Sequence, residues 1–335
     1  MNSTPKRTSS TFWNILKTIL AIFLVIFVIS RTDLSSLWHS LKTASVFWLG
    51  IAVIIFLFLT LLKALQYYVL FRNRLSYPQV LNVVILQNAV SNYLASSAGI
   101  ASYLTLFKAE HGVKISRSVL IFLLTKIGDL TAIWLGLVIS SSLVWSQIGI
   151  LHIPILVLLI GIGVVLLLFV LTVLFRQRFV SMLSRILSWL KISRLGLVEK
   201  GMQYFQGLAD MEQNKILTTF GLLLLYSFVY LAVTIAYAYA NLAVFHLQPN
   251  IVAVLFVTLL IQLVSYFPVT VFGGLGVTET SALYFWSFFA LPQNLLASAL
   301  IGSRIVFYVV NLIPLIYLPV YSAFLNPKEQ AQNGQ

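Results

Sequence analysis

Cysteine is absent from the chain, so neither a disulfide nor a thiolate-held metal can contribute to its fold. Charge is scarce as well: 9% of 335 residues are charged, and 8 acidic residues stand against 21 lysines and arginines. A soluble domain carries about a quarter charged residues, so this chain lacks the polar surface to face water on all sides. The glycine-rich stretch Gly273-Gly-Leu-Gly276 has no following Lys-Ser or Lys-Thr and follows no strand, which argues against nucleotide binding. No Ser-His-Asp arrangement or pair of acids emerges from the spacing. The four histidines, His39, His111, His152 and His246, lie far apart near the ends of apolar runs, where caps and interfaces suit them better than metal. No catalytic residue, cofactor or metal is expected.

What the chain has instead is apolar length. Hydrophobic residues make up 60% of it, which marks an all-α polytopic membrane protein. A net charge of +13 would suggest nucleic acid in a soluble protein. Here most of the basic residues fall in short segments between apolar runs, as the positive-inside rule predicts, so nucleic acid is not expected as a partner. At about 20 residues per crossing, full spans are expected near residues 13–30, 46–71, 118–143, 153–174, 216–243 and 295–324. Lys6 and Arg7 give the first of these the look of a signal peptide, yet Ser30-Arg31-Thr32 offers no cleavage site, so an uncleaved span is expected. Arg72 and Arg74 mark a cytoplasmic end, which puts both termini in the cytoplasm and leaves only Arg31 and Lys42 outside. Lys63 falls in the last third of the second span. Residues 176–215, with seven basic and three acidic side chains, read as a cytoplasmic amphipathic connecting segment within one transmembrane domain covering residues 1–335.

Two apolar pairs are interrupted. Residues 78–107 break at Ser96-Ser-Ala-Gly99, and the run that starts at Ile251 breaks at Pro268 and at Gly273, Gly274 and Gly276 before restarting near Thr278. Interrupted backbone is tolerated in lipid where protein buries it or water reaches it, so both pairs predict re-entrant hairpins around a cavity. Two such opposed hairpins with six spans are the expected architecture, or eight spans if the hairpins cross. Asn92-Tyr-Leu precedes the first break and Ser265-Tyr-Phe the second. Lys126 follows Gly99 by 27 residues and Arg304 follows Gly276 by 28, a correspondence that an inverted repeat would produce.

Four ionisable residues then lie at depth: Lys126, Asp129, Glu279 and Arg304. A charge at a helix centre costs roughly 2.5 to 3.5 kcal/mol on insertion scales, so each needs a partner or water. Lys126 and Asp129 are three residues apart on one helix face and are expected to pair with each other. Glu279 and Arg304 have no partner nearby in sequence and are expected to meet across the cavity. With Gly273, Gly274, Gly276 and Asn92, these four form the candidate site for binding and translocating a substrate. A helix N-terminus, glycine amides and two basic side chains suit an anion, and lipid phosphate is the anion at hand.

Phe267-Pro through Gly273-Gly-Leu-Gly-Val-Thr-Glu279 resembles the Pro-Gly-Gly-Leu-Gly-x-x-Glu signature of the lysylphosphatidylglycerol synthase transmembrane-region family of flippase-like membrane proteins. The stretch from Asn92 through Gly99, Lys108, Gly112-Val, Lys126 and Asp129 is similar to its N-terminal signature, and Arg304 fits the basic residue of its last helices. Phe272 stands where the family usually has proline. Ile100 stands where an acidic residue commonly follows the first glycine, which argues against a mechanism with a carboxylate in both hairpins. Larger members carry a soluble aminoacyl-transferase domain, and this chain ends at Gln335 soon after the last span. The resemblance therefore implies a stand-alone member that flips a lipid in the plasma membrane rather than one that transfers lysine. It implies membrane lipids as partners, an anionic phospholipid or an isoprenoid- or hopanoid-linked lipid, together with a lipid-modifying enzyme. The alternatives are a membrane-embedded transferase acting on a lipid, of phosphatidylglycerol lysyltransferase or glycolipid-pathway type, and a non-catalytic scaffold.

Overall fold

The computed structural model describes Trp38 and residues 42–71, 74–189, 213–266, 274–289 and 291–321. The span expected at 13–30, Pro268, Gly273 and the segment 190–212 lie outside the described residues. Ten α-helices and no strands occur among those described, and five helices are long and apolar enough to cross a membrane. In chain order the helices are α1 (Val46–Phe71), α2 (Tyr77–Tyr93), α3 (Ser96–Ala109), α4 (Ile115–Leu143), α5 (His152–Trp189), α6 (Gln213–Val244), α7 (Ile251–Ser265), α8 (Val277–Trp286), α9 (Gln293–Leu312) and α10 (Tyr317–Val320). The candidate spans are α1, α4, α5, α6 and α9 with its continuation into α10.

Local chemistry sets several of the boundaries. Ser76 precedes α2, its amide donating to the Gln79 side chain at 2.9 Å, and Pro78 occupies the first turn, where a missing N–H costs nothing. The Asn250 side chain opens α7 by accepting from the Val252 amide at 2.8 Å. Helix α5 runs for 38 residues without interruption, so residues 176–189 continue the spanning helix directly.

The bundle is organised around α1 and α6, which pack along each other. The Ser45 amide donates to the Val244 carbonyl at 2.9 Å, so the start of α1 lies beside the end of α6 and the two helices run antiparallel. The pair α2–α3 follows the end of α1 and the pair α7–α8 follows the end of α6, so the two short pairs hang from opposite ends of this central couple. Each reaches across: α2 packs on α9, and α7 packs on α4. The main apolar core, which includes Ile133, Leu137, Phe256, Leu259 and Leu296, joins α4, α6, α7, α8 and α9, while Tyr67, Phe71, Tyr103 and Phe107 fill a second core beneath α2–α3.

The first short pair breaks one turn earlier than the sequence suggested. The interruption falls at Leu94 and Ala95, and Gly99 lies inside α3. Its role is close approach: a Cβ there would lie 2.6 Å from the Ser91 Cβ and 3.0 Å from the Gln87 carbonyl oxygen of α2. Gly99→Ala is expected to force α2 and α3 apart and cost about 1–3 kcal/mol, the range for overpacking. Thermal unfolding in detergent measures it.

Candidate functional site

Helix α8 restarts the chain after the second break, and the geometry of its first turn places Glu279. Gly276 precedes the helix at φ 81°, a left-handed conformation that glycine adopts without a Cβ penalty. Its amide donates to Glu279 Oε2 at 2.6 Å, which satisfies an N–H of the kind that helix starts leave without a backbone partner. Gly274, at φ 85°, offers its carbonyl to the Thr278 hydroxyl at 2.9 Å. The other carboxylate oxygen, Oε1, faces Arg304 of α9, whose Nε lies 2.8 Å away. Glu279 and Arg304 therefore do meet, both largely buried. The Arg304 guanidinium also lies 5.0 Å from the Phe307 ring and 5.6 Å from the Tyr308 ring, flat partners that suit its delocalised charge.

Asn92 and Tyr93, at the end of α2, reach the same stretch of α9 from the other half of the chain. Asn92 Nδ2 donates to Asn311 Oδ1 at 2.5 Å, and the Tyr93 hydroxyl donates to the Tyr308 carbonyl at 2.6 Å. The Tyr93 and Tyr308 rings stack 5.8 Å apart. Asn92 is thus anchored on α9 at Asn311, two helical turns beyond Arg304.

Asp129 is arranged differently from the sequence expectation. Its ion-pair partner is Lys63 of α1, with Nζ 2.6 Å from Oδ2, and not Lys126. The opposite oxygen, Oδ1, accepts from Gln66 Nε2 at 2.9 Å and from the Ser227 hydroxyl at 3.0 Å. Lys63 donates to Gln66 Oε1 as well, at 2.8 Å. The reason is reach across the bundle: α1, α4 and α6 converge here, and each supplies a polar group to one carboxylate. Lys126, three residues before Asp129, points to aromatic rings instead, with Nζ 4.8 Å from the Tyr266 ring and 5.6 Å from the Phe122 ring. Tyr266 ends α7, just as Tyr93 ends α2.

The candidate residues therefore fall into two clusters. Glu279, Arg304, Gly274 and Gly276 make one, Lys126 and Asp129 the other; Asn92 meets α9 two turns from Arg304, and Gly273 lies outside the described residues. Helix α6 takes part in both: Ser227 and Tyr230 reach the second cluster, with the Tyr230 ring 4.7 Å from Lys63 Nζ, and α9, which carries Arg304, packs on α6. Sequence reasoning missed Lys63, Gln66 and Ser227. The one available signal was a lysine inside a 26-residue apolar run, with glutamine three residues on.

Residues 14–314 match the sequence model of a family described as the lysylphosphatidylglycerol synthase TM region, nearly the whole chain. No curated protein matches it.

Proposed function

Because the chain belongs to the lysylphosphatidylglycerol synthase transmembrane-region family, and is thus a multi-pass membrane protein, we propose that it moves the head group of a lipid between the two leaflets of a bilayer. The lipid is a phospholipid or an isoprenoid- or hopanoid-linked lipid of the plasma membrane, and both chain termini face the cytoplasm. In this reading α2–α3 and α7–α8 are re-entrant hairpins of an inverted repeat. Their limbs of 17, 14, 15 and 10 residues are shorter than the roughly 20 needed to cross. Exchange of the two halves carries the α2–α9 contact onto the α7–α4 contact, which suits such a repeat.

One observation carries the proposal: the ionisable groups inside the apolar helices gather into two clusters, one where α1, α4 and α6 converge and one where α8 meets α9, which itself packs on α6. A head group moving from one to the other would pass between polar stations instead of entering bare hydrocarbon, which is the costly part of its crossing.

The test is reconstitution into liposomes that carry a labelled lipid in one leaflet. The expected result is protein-dependent equilibration of the label, largely lost in a folded Glu279→Gln/Arg304→Met double variant. New lipid species formed with a soluble aminoacyl donor would overturn the proposal in favour of a transferase. A protein that folds and neither moves nor modifies lipid would be a scaffold.

A further inference from the structure

The two clusters differ in charge. At α8 and α9 the Glu279 carboxylate balances Arg304. At α1 and α4 one carboxylate, Asp129, stands beside two lysines, and it is committed. Its oxygens accept from Lys63, Gln66 and Ser227, which hold the carboxylate in its pairing with Lys63. Among the described residues no carboxylate lies within ion-pair distance of Lys126, whose contacts are the rings of Tyr266 and Phe122. Aromatic faces shelter a cation but carry no full negative charge, so the second lysine of this cluster leaves room for a counter-anion. The exposed side of this site is at Tyr266, which keeps 42% of its surface exposed while its ring covers a lysine within the bundle.

We infer that this cluster is a binding site for a single negative charge, in which Lys126 takes one oxyanion of a phosphodiester beneath the Tyr266 ring. The inference rests on the lipid-translocation reading and narrows its substrate. Lys63 does not bind the anion; it is neutralised by Asp129 and positions that carboxylate away from Lys126. With one uncompensated positive charge, the site favours a monoanionic phosphodiester over a phosphomonoester or diphosphate, whose second charge would find no partner. The Arg304 cluster is neutral, so an anion reaching it must first displace Glu279, and Lys126 is therefore the resting station. Tyr266 is the roof, a ring that shelters the cation on the side from which the head group approaches.

The experiment measures binding to the full-length protein in detergent, by ligand-induced thermal stabilisation, with three probes. These are short-chain phosphatidylglycerol with one charge on a diester, short-chain phosphatidate with a second ionisable charge, and inorganic phosphate. Phosphatidylglycerol is expected to bind tightest, and inorganic phosphate weakest if the ligand is a lipid head group. An inorganic phosphate signal as strong as the lipid's would assign the site to a free anion and overturn the lipid assignment. Lys126→Met removes an unpaired charge, so the fold should tolerate it, and phosphatidylglycerol affinity should fall by about ten-fold or more, as for loss of a charged hydrogen-bond donor. Lys126→Arg should restore most of it. Asp129→Asn frees Lys63 and should shift the preference toward phosphatidate, a reversal that a purely structural aspartate would not produce. Unchanged phosphatidylglycerol affinity in Lys126→Met, or a wild-type preference for phosphatidate, would overturn the inference. Selective binding without leaflet exchange would leave the site standing and sink the translocation reading; exchange that survives Lys126→Met would do the reverse.

Discussion

Arg304→Met is expected to destabilise the protein by about 3–5 kcal/mol, because it strands a buried carboxylate without its counter-charge. Glu279 is only 6% exposed, so water cannot readily take over from the guanidinium. Glu279→Gln should cost a similar amount from the other side, and it also weakens the bond from the Gly276 amide, which now ends on a charged oxygen 2.6 Å away. The double variant Glu279→Gln/Arg304→Met should recover most of the loss, since a buried pair is often replaceable by neutral groups of similar volume. Thermal unfolding of the four proteins in one detergent closes the double-mutant cycle, with a coupling above about 1 kcal/mol as the expected result. Simple additivity of the two single losses would show that the pair seen here is not made in the folded protein. The recovered double variant is also the protein with which leaflet exchange should be measured, because there loss of transport cannot be blamed on loss of fold.

Asp129→Ala is expected to be the other large loss, about 3–5 kcal/mol, and far larger than that of Lys63→Met. The asymmetry follows from what each substitution leaves behind. Removing Asp129 deprives Lys63, Gln66 and Ser227 of a shared acceptor at once. Removing Lys63 leaves a carboxylate that still has Gln66 and Ser227 and has Lys126 one helical turn away, close enough to swing in. The double variant Lys63→Met/Lys126→Met, with neither cation left, should match Asp129→Ala in its cost. If Lys63→Met alone proves as damaging as Asp129→Ala, Lys126 cannot substitute, and the description of it as uncommitted fails.

The two ion pairs show how much of the site could be read from residue order. Glu279 and Arg304 were each isolated charges in apolar surroundings with no neighbour to answer them, and for such residues mutual pairing is the cheapest outcome. Asp129 had a neighbour of opposite sign three residues away, and local spacing named the wrong partner. Nothing in a one-dimensional pattern reports that α1, α4 and α6 converge, so Lys63 looked like a lysine near the end of a long apolar run. Long hydrophobic stretches were legible nearly to the residue: the runs expected at 46–71, 118–143 and 216–243 correspond to α1, α4 and α6, with ends moved by three residues at most. Glycine was read less well. Gly276 marks the restart of α8, as its left-handed backbone requires, whereas Gly99 signals a helix contact and not a chain break. Sequence alone does not distinguish these two uses of a missing side chain.

Helix α5 has a consequence for what lies beyond the bilayer. Its 38 residues make a rod about 57 Å long, against a hydrocarbon core of about 30 Å. Even at a tilt of about 40°, near the limit for spanning helices, it outreaches the core by more than 10 Å. Its far end, with Arg178 and Arg185 exposed, therefore stands up among or above the head groups like a mast. At that height its exposed arginines meet lipid phosphates or water instead of hydrocarbon.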